Sequence, residues 1–63
     1  MDVMSIATIK ELRAYTGMSQ SEFSKCFGVS LRCLQSWEQG QRNTPTYVLE
    51  AFKKIVKYEH IGS

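Results

Sequence analysis

The chain of 63 residues has no long apolar run, only 2 cysteines and 1 histidine, and each shortage argues against a class of protein. No stretch approaches the roughly 18 apolar residues of a membrane-spanning helix, and the N-terminus lacks the basic and then apolar layout of a secretory signal. We therefore expect a cytoplasmic protein that does not enter a membrane. Two cysteines, Cys26 and Cys33, are too few for a disulfide framework, and a reducing compartment suits them.

Metal binding and catalysis find no support in the sequence either. Cys26, Cys33 and His60 lack a fourth ligand and match no zinc-binding spacing. The serines and Glu59 form no arrangement of nucleophile and base with His60, and so short a chain has no room for a cleft with a supporting shell. We expect no metal, no cofactor and no enzymatic activity.

The composition indicates one globular domain over residues 1–63. Hydrophobic residues make up 43% of the chain and charged residues 22%, which is ordinary for a folded domain. There is no internal repeat, no linker and no alternating strand pattern, so the expected fold class is all-α. The net charge is only +2, but five of the 8 cationic residues fall in the C-terminal half, which suits an anionic partner: Arg32, Arg42, Lys53, Lys54 and Lys57.

Capping residues and glycines divide the chain into four predicted helices. A hydroxyl residue begins each of the first three helices and a glycine ends it. These pairs are Thr8 and Gly17, Ser19 and Gly28, and Ser30 and Gly40. Glu11 and Glu22 add capping-box spacing to the first two. For the fourth helix, Thr44 is the predicted cap and Pro45 the first helical residue, with an end near Tyr58.

Two predictions concern the ends of the chain. Residues 1–7 carry no strong signal, and they are either a frayed leader or a backward extension of the first helix from Ser5. The number of helices is expected to be four, with five as the alternative. Residues 60–63 are expected to fray. Lys53, Lys54 and Lys57 are interpreted as solubilising residues of the fourth helix or as a long-range attraction for an anion.

The third predicted helix has one apolar side and one polar side. At 100° per residue, Cys33, Leu34 and Trp37 lie together, and we interpret this side as core. The opposite side is polar apart from one leucine, and it consists of Leu31, Arg32, Gln35, Ser36 and Gln39. A polar stripe is usually a solvated face, so this pattern alone does not separate a binding surface from an ordinary one.

A family resemblance favours the binding surface. The ordered residues are Ser19-Gln20, Phe23-Ser24, Phe27-Gly28-Val29-Ser30, Leu34, Trp37-Glu38, Gly40 and Pro45. This pattern resembles the helix-turn-helix of phage repressor and Cro proteins and of many small bacterial regulators and antitoxins. The likeness covers residue 8 to about residue 58. It implies a compact four-helix repressor-like domain, bacterial or phage-encoded, with the motif at about 19–40. Ser24 stands where the family usually has alanine.

The resemblance implies a transcriptional regulator that binds double-stranded DNA by inserting the third helix into the major groove. The positions that match base-contacting residues of the family are Ser30, Leu31, Arg32, Gln35 and Ser36. Arg32 would bind guanine, Gln35 adenine, and Leu31 a thymine methyl. The positions that match phosphate contacts are Ser19, Gln20, Gln39, Gln41, Arg42, Asn43 and Thr44. Free amides at the start of the second helix suit such a contact on physical grounds.

Two further expectations come from the resemblance. Arg13 and Glu38 match a partly buried ion pair that joins the first helix to the end of the third. A repressor of this size would act as a homodimer on palindromic DNA, with Tyr58 and Ile61 as candidates for the dimer contact. The alternative is a protein-binding module, an antitoxin or anti-repressor, whose main partner is a toxin or another protein.

Overall fold

A computed structural model describes residues 2–59, which form four α-helices preceded by a short 3-10 helix and contain no strand. The 3-10 helix spans Val3–Ser5, and the α-helices are α1 (Ile9–Thr16), α2 (Gln20–Phe27), α3 (Leu31–Gln39) and α4 (Thr46–Glu59). The all-α class is therefore confirmed for this part of the chain. No helix within it is long and apolar enough to cross a membrane.

Local capping chemistry fixes the bounds of α1, α2 and α3, as the sequence predicted. The hydroxyls of Thr8, Ser19 and Ser30 each accept a hydrogen bond from the amide three residues later. Each helix then ends at a glycine with positive φ, and at Gly28, for example, φ is 69°. An L-residue pays a steric cost in that left-handed conformation, whereas glycine does not.

The capping box is complete only at α2. There the amide of Ser19 donates to Glu22 Oε1 over 3.0 Å, while the amide of Glu22 donates to Ser19 Oγ over 3.1 Å. At α1 the carboxylate of Glu11 instead accepts from the hydroxyl of Thr8 over 3.2 Å. The reciprocal bond that the sequence predicted for α1 is therefore made to the side chain of the cap and not to its backbone.

The start of α4 differs from the prediction. The helix begins at Thr46, and the carbonyl of Pro45 accepts from the amides of Val48 and Leu49 over 3.0 and 3.1 Å. Pro45 therefore occupies the capping position, and Thr44 lies one residue before it. The prediction of Thr44 as cap and Pro45 as first helical residue is wrong by one position. Pro45 can fill this place because only its carbonyl is used there, so its missing N–H costs nothing.

The core lies between the four helices and includes the N-terminal segment. Its buried hydrophobic members are Val3, Ile6, Ile9, Leu12, Phe23, Leu34, Leu49 and Val56. Phe27 and Trp37 are half-buried and pack against this cluster. The rings of Phe23, Phe27 and Phe52 stack with centroids 4.3 to 6.0 Å apart, which places α2 against α4.

The N-terminal segment corrects two predictions. Residues 2–7 neither fray nor extend α1, because Val3 and Ile6 are 3% and 1% exposed and the 3-10 helix packs against α4. Lys53 is 6% exposed and is not a solubilising residue: its Nζ donates to the carbonyls of Met4 and Ile6 over 3.3 and 2.9 Å and pairs with the carboxylate of Glu50. Burying an ammonium is favourable only with such partners. The predictions for residues 60–63 lie outside the described residues.

Candidate nucleic-acid interface

The outward face of α3 carries the five residues that were predicted to contact bases. Ser30, Leu31 and Arg32 are exposed, with Leu31 at 40%, and Gln35 and Ser36 are half-buried. The exposed group lies at the first turn of the helix, where a groove-binding helix would meet base edges first.

The opposite side of α3 is bound to the rest of the fold. Leu34 is fully buried in the core, and the Glu38 side chain is only 5% exposed. The helix therefore presents one defined face to solvent, because core packing and a buried carboxylate together fix its rotation.

Arg13 and Glu38 form the ion pair that the resemblance implied. Arg13 Nε lies 2.6 Å from Glu38 Oε2, and Nη2 lies 3.0 Å from Oε1, so the guanidinium binds the carboxylate with two hydrogen bonds. The hydrogen bond to Glu38 raises the pKa of Arg13 above its usual value, against the opposing effect of burial. Because Arg13 Nη1 also donates to the carbonyl of Met18 over 3.1 Å, one side chain joins α1, the α1–α2 connection and α3.

Gln20, the first residue of α2, extends this ion pair towards the exposed face. Its Nε2 donates to Glu38 Oε1 over 3.3 Å, and its Oε1 accepts from Gln35 Nε2 over 3.5 Å. The sequence predicted a phosphate contact for Gln20 and a base contact for Gln35, but it gave no indication that the two amides meet. One amide hydrogen of Gln20 stays outside these two bonds, so a phosphate contact remains chemically compatible with them.

The N-terminus of α2 forms one flank of the α3 face. Within the capping box, the amides of Ser19 and Glu22 are bonded, and the amides of Gln20 and Ser21 are the remaining two of the first turn. Hydrogen bonding with Ser19, through its backbone first and its side chain second, lowers the pKa of the exposed Glu22 carboxyl. An anion at this helix end would find free donors and the positive end of the helix dipole.

The α3–α4 connection forms the opposite flank. The carbonyl of Ser36 accepts from the amides of Gln41 and Arg42 over 3.0 and 3.3 Å, which turns the chain back alongside α3. Arg42 consequently lines a polar depression of about 150 Å³ whose other walls are Ser30, Arg32, Cys33 and Ser36. The structure thus brings an arginine predicted for phosphate and an arginine predicted for a base to one depression.

The remaining predicted phosphate contacts separate into two groups. Arg42, Asn43 and Thr44 line a second depression of about 250 Å³ between the start of α1 and the end of α3, where Lys10 and Trp37 form the opposite walls. Gln39 and Gln41 are exposed near the end of α3. Gln20 of α2 meets Gln35 and Glu38, whereas Arg42 lies beside Arg32 and Ser36, so the predicted phosphate ligands lie on both sides of α3.

Two observations concern the residues considered for metal binding. Cys26 is exposed on α2 and Cys33 is half-buried on α3, and both are free thiols. Across residues 2–59 no group of three His, Cys, Asp or Glu side chains is arranged to hold a metal ion. His60 lies outside the described residues.

Comparison with known proteins gave no relative on which to transfer a function. Family models, curated proteins and solved structures each returned no match to this chain.

Proposed function

We propose that this protein binds double-stranded DNA sequence-specifically as a small transcriptional repressor of the helix-turn-helix type, with α3 in the major groove. The observation that carries the proposal is the arrangement around α3. Its polar face is exposed, its buried side is fixed by Leu34 and Glu38, and donors for phosphates flank it on both sides. A helix face that contacts only water would not require donors for phosphates on its two sides.

The two flanks have the chemistry of a phosphate clamp. On one side the amides of Gln20 and Ser21 begin α2, and on the other Arg42 stands beside Arg32. Phosphate contacts of this kind position a protein on the duplex, while side chains in the groove read the sequence. Leu31, Arg32 and Gln35 offer apolar, cationic and amide groups for that reading.

Selection of bound duplexes from a random pool, followed by a mobility-shift titration at several salt concentrations, tests the proposal. We expect enrichment of one sequence and an affinity that falls steeply with salt. Arg42→Gln should reduce the slope of log K against log salt by about 1, because one phosphate contact is lost. Lys54→Gln makes the same charge change on the exposed side of α4 and should leave the slope unchanged. Absence of selective binding by the unaltered protein at low salt would contradict the proposal.

A second copy of the chain is the proposed partner on DNA. Three large hydrophobic side chains are exposed on α4: Tyr47 at 77%, Tyr58 at 73% and Ile55 at 41%. Their exposed surface is available for contact with a second copy. One domain contacts little DNA, so two copies on a palindrome would raise affinity. Sedimentation should detect a dimer on the selected duplex, and a monomer both on and off DNA would contradict this part.

The same α4 face supports a second candidate function, a protein-binding module whose main partner is a toxin or another protein. Exposed tyrosines are enriched at protein interfaces. The two candidates differ in their response to Tyr47→Ser/Tyr58→Ser. In a DNA-binding dimer the double variant should weaken binding to a palindrome much more than binding to a half-site. In a protein-binding module no selective DNA binding exists for it to weaken.

A further inference from the structure

The chain of hydrogen bonds that starts at Glu38 has a fixed direction. A carboxylate only accepts hydrogen bonds, and Glu38 already accepts two from Arg13. Gln20 must therefore turn its amide nitrogen towards Glu38 Oε1, at 3.3 Å, since its carbonyl oxygen would be repelled there. The buried carboxylate, 5% exposed, thus determines which way the Gln20 amide faces.

The orientation of Gln20 determines that of Gln35 in turn. With its nitrogen on Glu38, Gln20 presents Oε1 to Gln35, and this acceptor requires a donor from Gln35. Gln35 meets it with Nε2 at 3.5 Å. Gln35 Oε1 and the second hydrogen of Nε2 remain for a ligand, and both belong to a residue on the α3 face that would enter the groove.

We propose that Glu38, acting through Gln20, holds the amide of Gln35 in one orientation and thereby makes Gln35 selective for adenine. This inference rests on the proposed DNA-binding function. In the major groove adenine offers the N6 amino group as donor and N7 as acceptor. Gln35 Oε1 accepts from N6, and the second hydrogen of Nε2 donates to N7, while the first hydrogen stays on Gln20.

The alternative orientation would read different bases. If the Gln35 amide were free to rotate by half a turn, its nitrogen could donate to the keto oxygen of guanine or thymine in place of accepting from an amino group. A fixed carbonyl oxygen meets those keto oxygens as acceptor against acceptor, which is unfavourable. Glu38 and Gln20 are therefore positioning residues: they touch no base, and they exclude keto bases at the position that Gln35 reads.

The test compares base preference at one position of the selected duplex. Gln35→Ala identifies that position, because only its preference should disappear. Gln20→Leu then removes the middle of the relay and leaves the Arg13–Glu38 pair intact, so the fold should persist. We expect the preference for adenine over guanine there to fall by about 5- to 150-fold, the discrimination of one bidentate base contact. Preferences at the other positions should be unchanged.

Two further variants make the result specific. Cys26→Leu places the same leucine at an exposed position of α2, the helix that carries Gln20, but outside the relay and the predicted DNA contacts, and it should preserve the adenine preference. Glu38→Gln keeps the shape of the first residue but lets an amide donate towards Gln20, so it should relax the preference as Gln20→Leu does. If Gln20→Leu fails to fold, Gln20→Ala provides the test, because it also removes the amide and leaves the Arg13–Glu38 pair in place, whereas Glu38→Gln weakens that pair.

The outcomes separate this inference from the proposed function. If the unaltered protein binds no DNA selectively, the proposed function fails and the adenine assignment fails with it. If it binds selectively and the folded Gln20→Leu or Glu38→Gln variant keeps full adenine preference at the Gln35 position, the relay is overturned while the function stands. A uniform loss of affinity with unchanged base preference would mean that Gln20 contributes only a phosphate contact, and it also overturns the relay.

Discussion

The guanidinium of Arg13 binds both carboxylate oxygens of Glu38, at 2.6 and 3.0 Å, and so joins two helices that are 25 residues apart in sequence. The acid is nearly buried and the base is 23% exposed. A planar guanidinium and a planar carboxylate match in geometry, so two bonds fix both distance and angle. The pair therefore determines how α3 is set against α1.

Replacing the acid by its amide should expose this role. In Glu38→Gln the positive charge of Arg13 loses its negative partner. The new amide nitrogen of residue 38 is a donor, and it faces an N–H of the Arg13 guanidinium that is also a donor. We expect the free energy of unfolding to fall by about 2 kcal/mol, because a half-buried cation is left incompletely paired. For so small a domain that corresponds to a melting temperature lower by roughly 8 to 16 °C. Thermal unfolding followed by circular dichroism measures it.

The matched control is Glu59→Gln, which makes the same change at an exposed glutamate, the last residue of α4. Its melting temperature should stay within a few degrees of the unaltered protein, since surface substitutions usually change stability by less than about 0.5 kcal/mol. Equal effects from the two variants would contradict a structural role for the Arg13–Glu38 pair.

Acid should weaken the start of α2. Hydrogen bonds from Ser19 lower the pKa of Glu22 below its ordinary value of 4.5. The folded state therefore binds that proton less readily than the unfolded state, and the stabilisation by Glu22 is present above pH 4.5 and lost as the pH falls through the folded pKa. Urea unfolding at about pH 6 and about pH 3 measures the change.

The comparison variant for this prediction is Glu22→Gln, whose side chain does not ionise. The difference in unfolding free energy between the unaltered protein and Glu22→Gln should be positive at about pH 6 and shrink towards about pH 3. A difference that stays constant over this range would show that the Glu22 carboxylate gains nothing from its bonds to Ser19.

The buried ammonium of Lys53 should hold the N-terminal segment in place. In Lys53→Met the carbonyls of Met4 and Ile6 lose their donor, and we expect a loss of about 1 to 3 kcal/mol for the unsatisfied groups. The Glu50 carboxylate loses its ion-pair partner too, but its side chain is 46% exposed and water can solvate it. The amides of Ser5 and Ile6, which bond within the 3-10 helix, should then exchange faster with deuterium. Lys54→Met, one residue later and exposed, is the control, and faster exchange in both variants would refute the assignment.

At Gly28, in the turn between α2 and α3, the cost of a substitution comes from the backbone conformation and not from a steric clash. A Cβ added at Gly28 would meet nothing within 4 Å, so a substitution there suffers only from the backbone conformation at φ 69°. We expect Gly28→Ala to cost about 1 to 2 kcal/mol. Gly28→Asn should cost less, since asparagine tolerates the left-handed region better. Chemical denaturation orders the two, and an equal cost for both would contradict this account.

The helix bounds were predictable because their signals are local. A capping hydroxyl, an acidic residue three positions later and a glycine at the end act within one helical turn, so reading Ser19, Glu22 and Gly28 needed no knowledge of the fold. The same rules gave Thr44 as the fourth cap. They failed there because α4 begins one residue later, at Thr46, where the backbone carbonyl of Pro45 accepts from the amides of Val48 and Leu49, and no side-chain pattern indicates a backbone acceptor.

The N-terminal segment was not predictable in this way. Val3 and Ile6 gain their burial from α4, more than 40 residues away, and no periodicity within residues 1–7 indicates that partner. Lys53 was misinterpreted for the same reason: a lysine on a helix is normally solvated, and its burial is favourable here because its ammonium bonds to carbonyls of the N-terminal segment as well as to the Glu50 carboxylate.

Part of the candidate site was predictable from the sequence and part was not. The outward face of α3 followed from helical periodicity, and the Arg13–Glu38 pair from the family resemblance. The contact between Gln20 and Gln35, 3.5 Å from Nε2 of Gln35 to Oε1 of Gln20, depends on how α2 and α3 cross. Sequence spacing alone does not determine that distance.

The bonds from Lys53 to Met4 and Ile6 also bear on the order of folding. They span 49 and 47 residues of the 63-residue chain, whereas the contacts between α2 and α3 close loops of fewer than 20. Closing a longer loop costs more chain entropy, so long-range contacts form after local ones have reduced the search. The unit of α2 and α3 should therefore be structured early, and the docking of α4 onto the first residues should complete the fold.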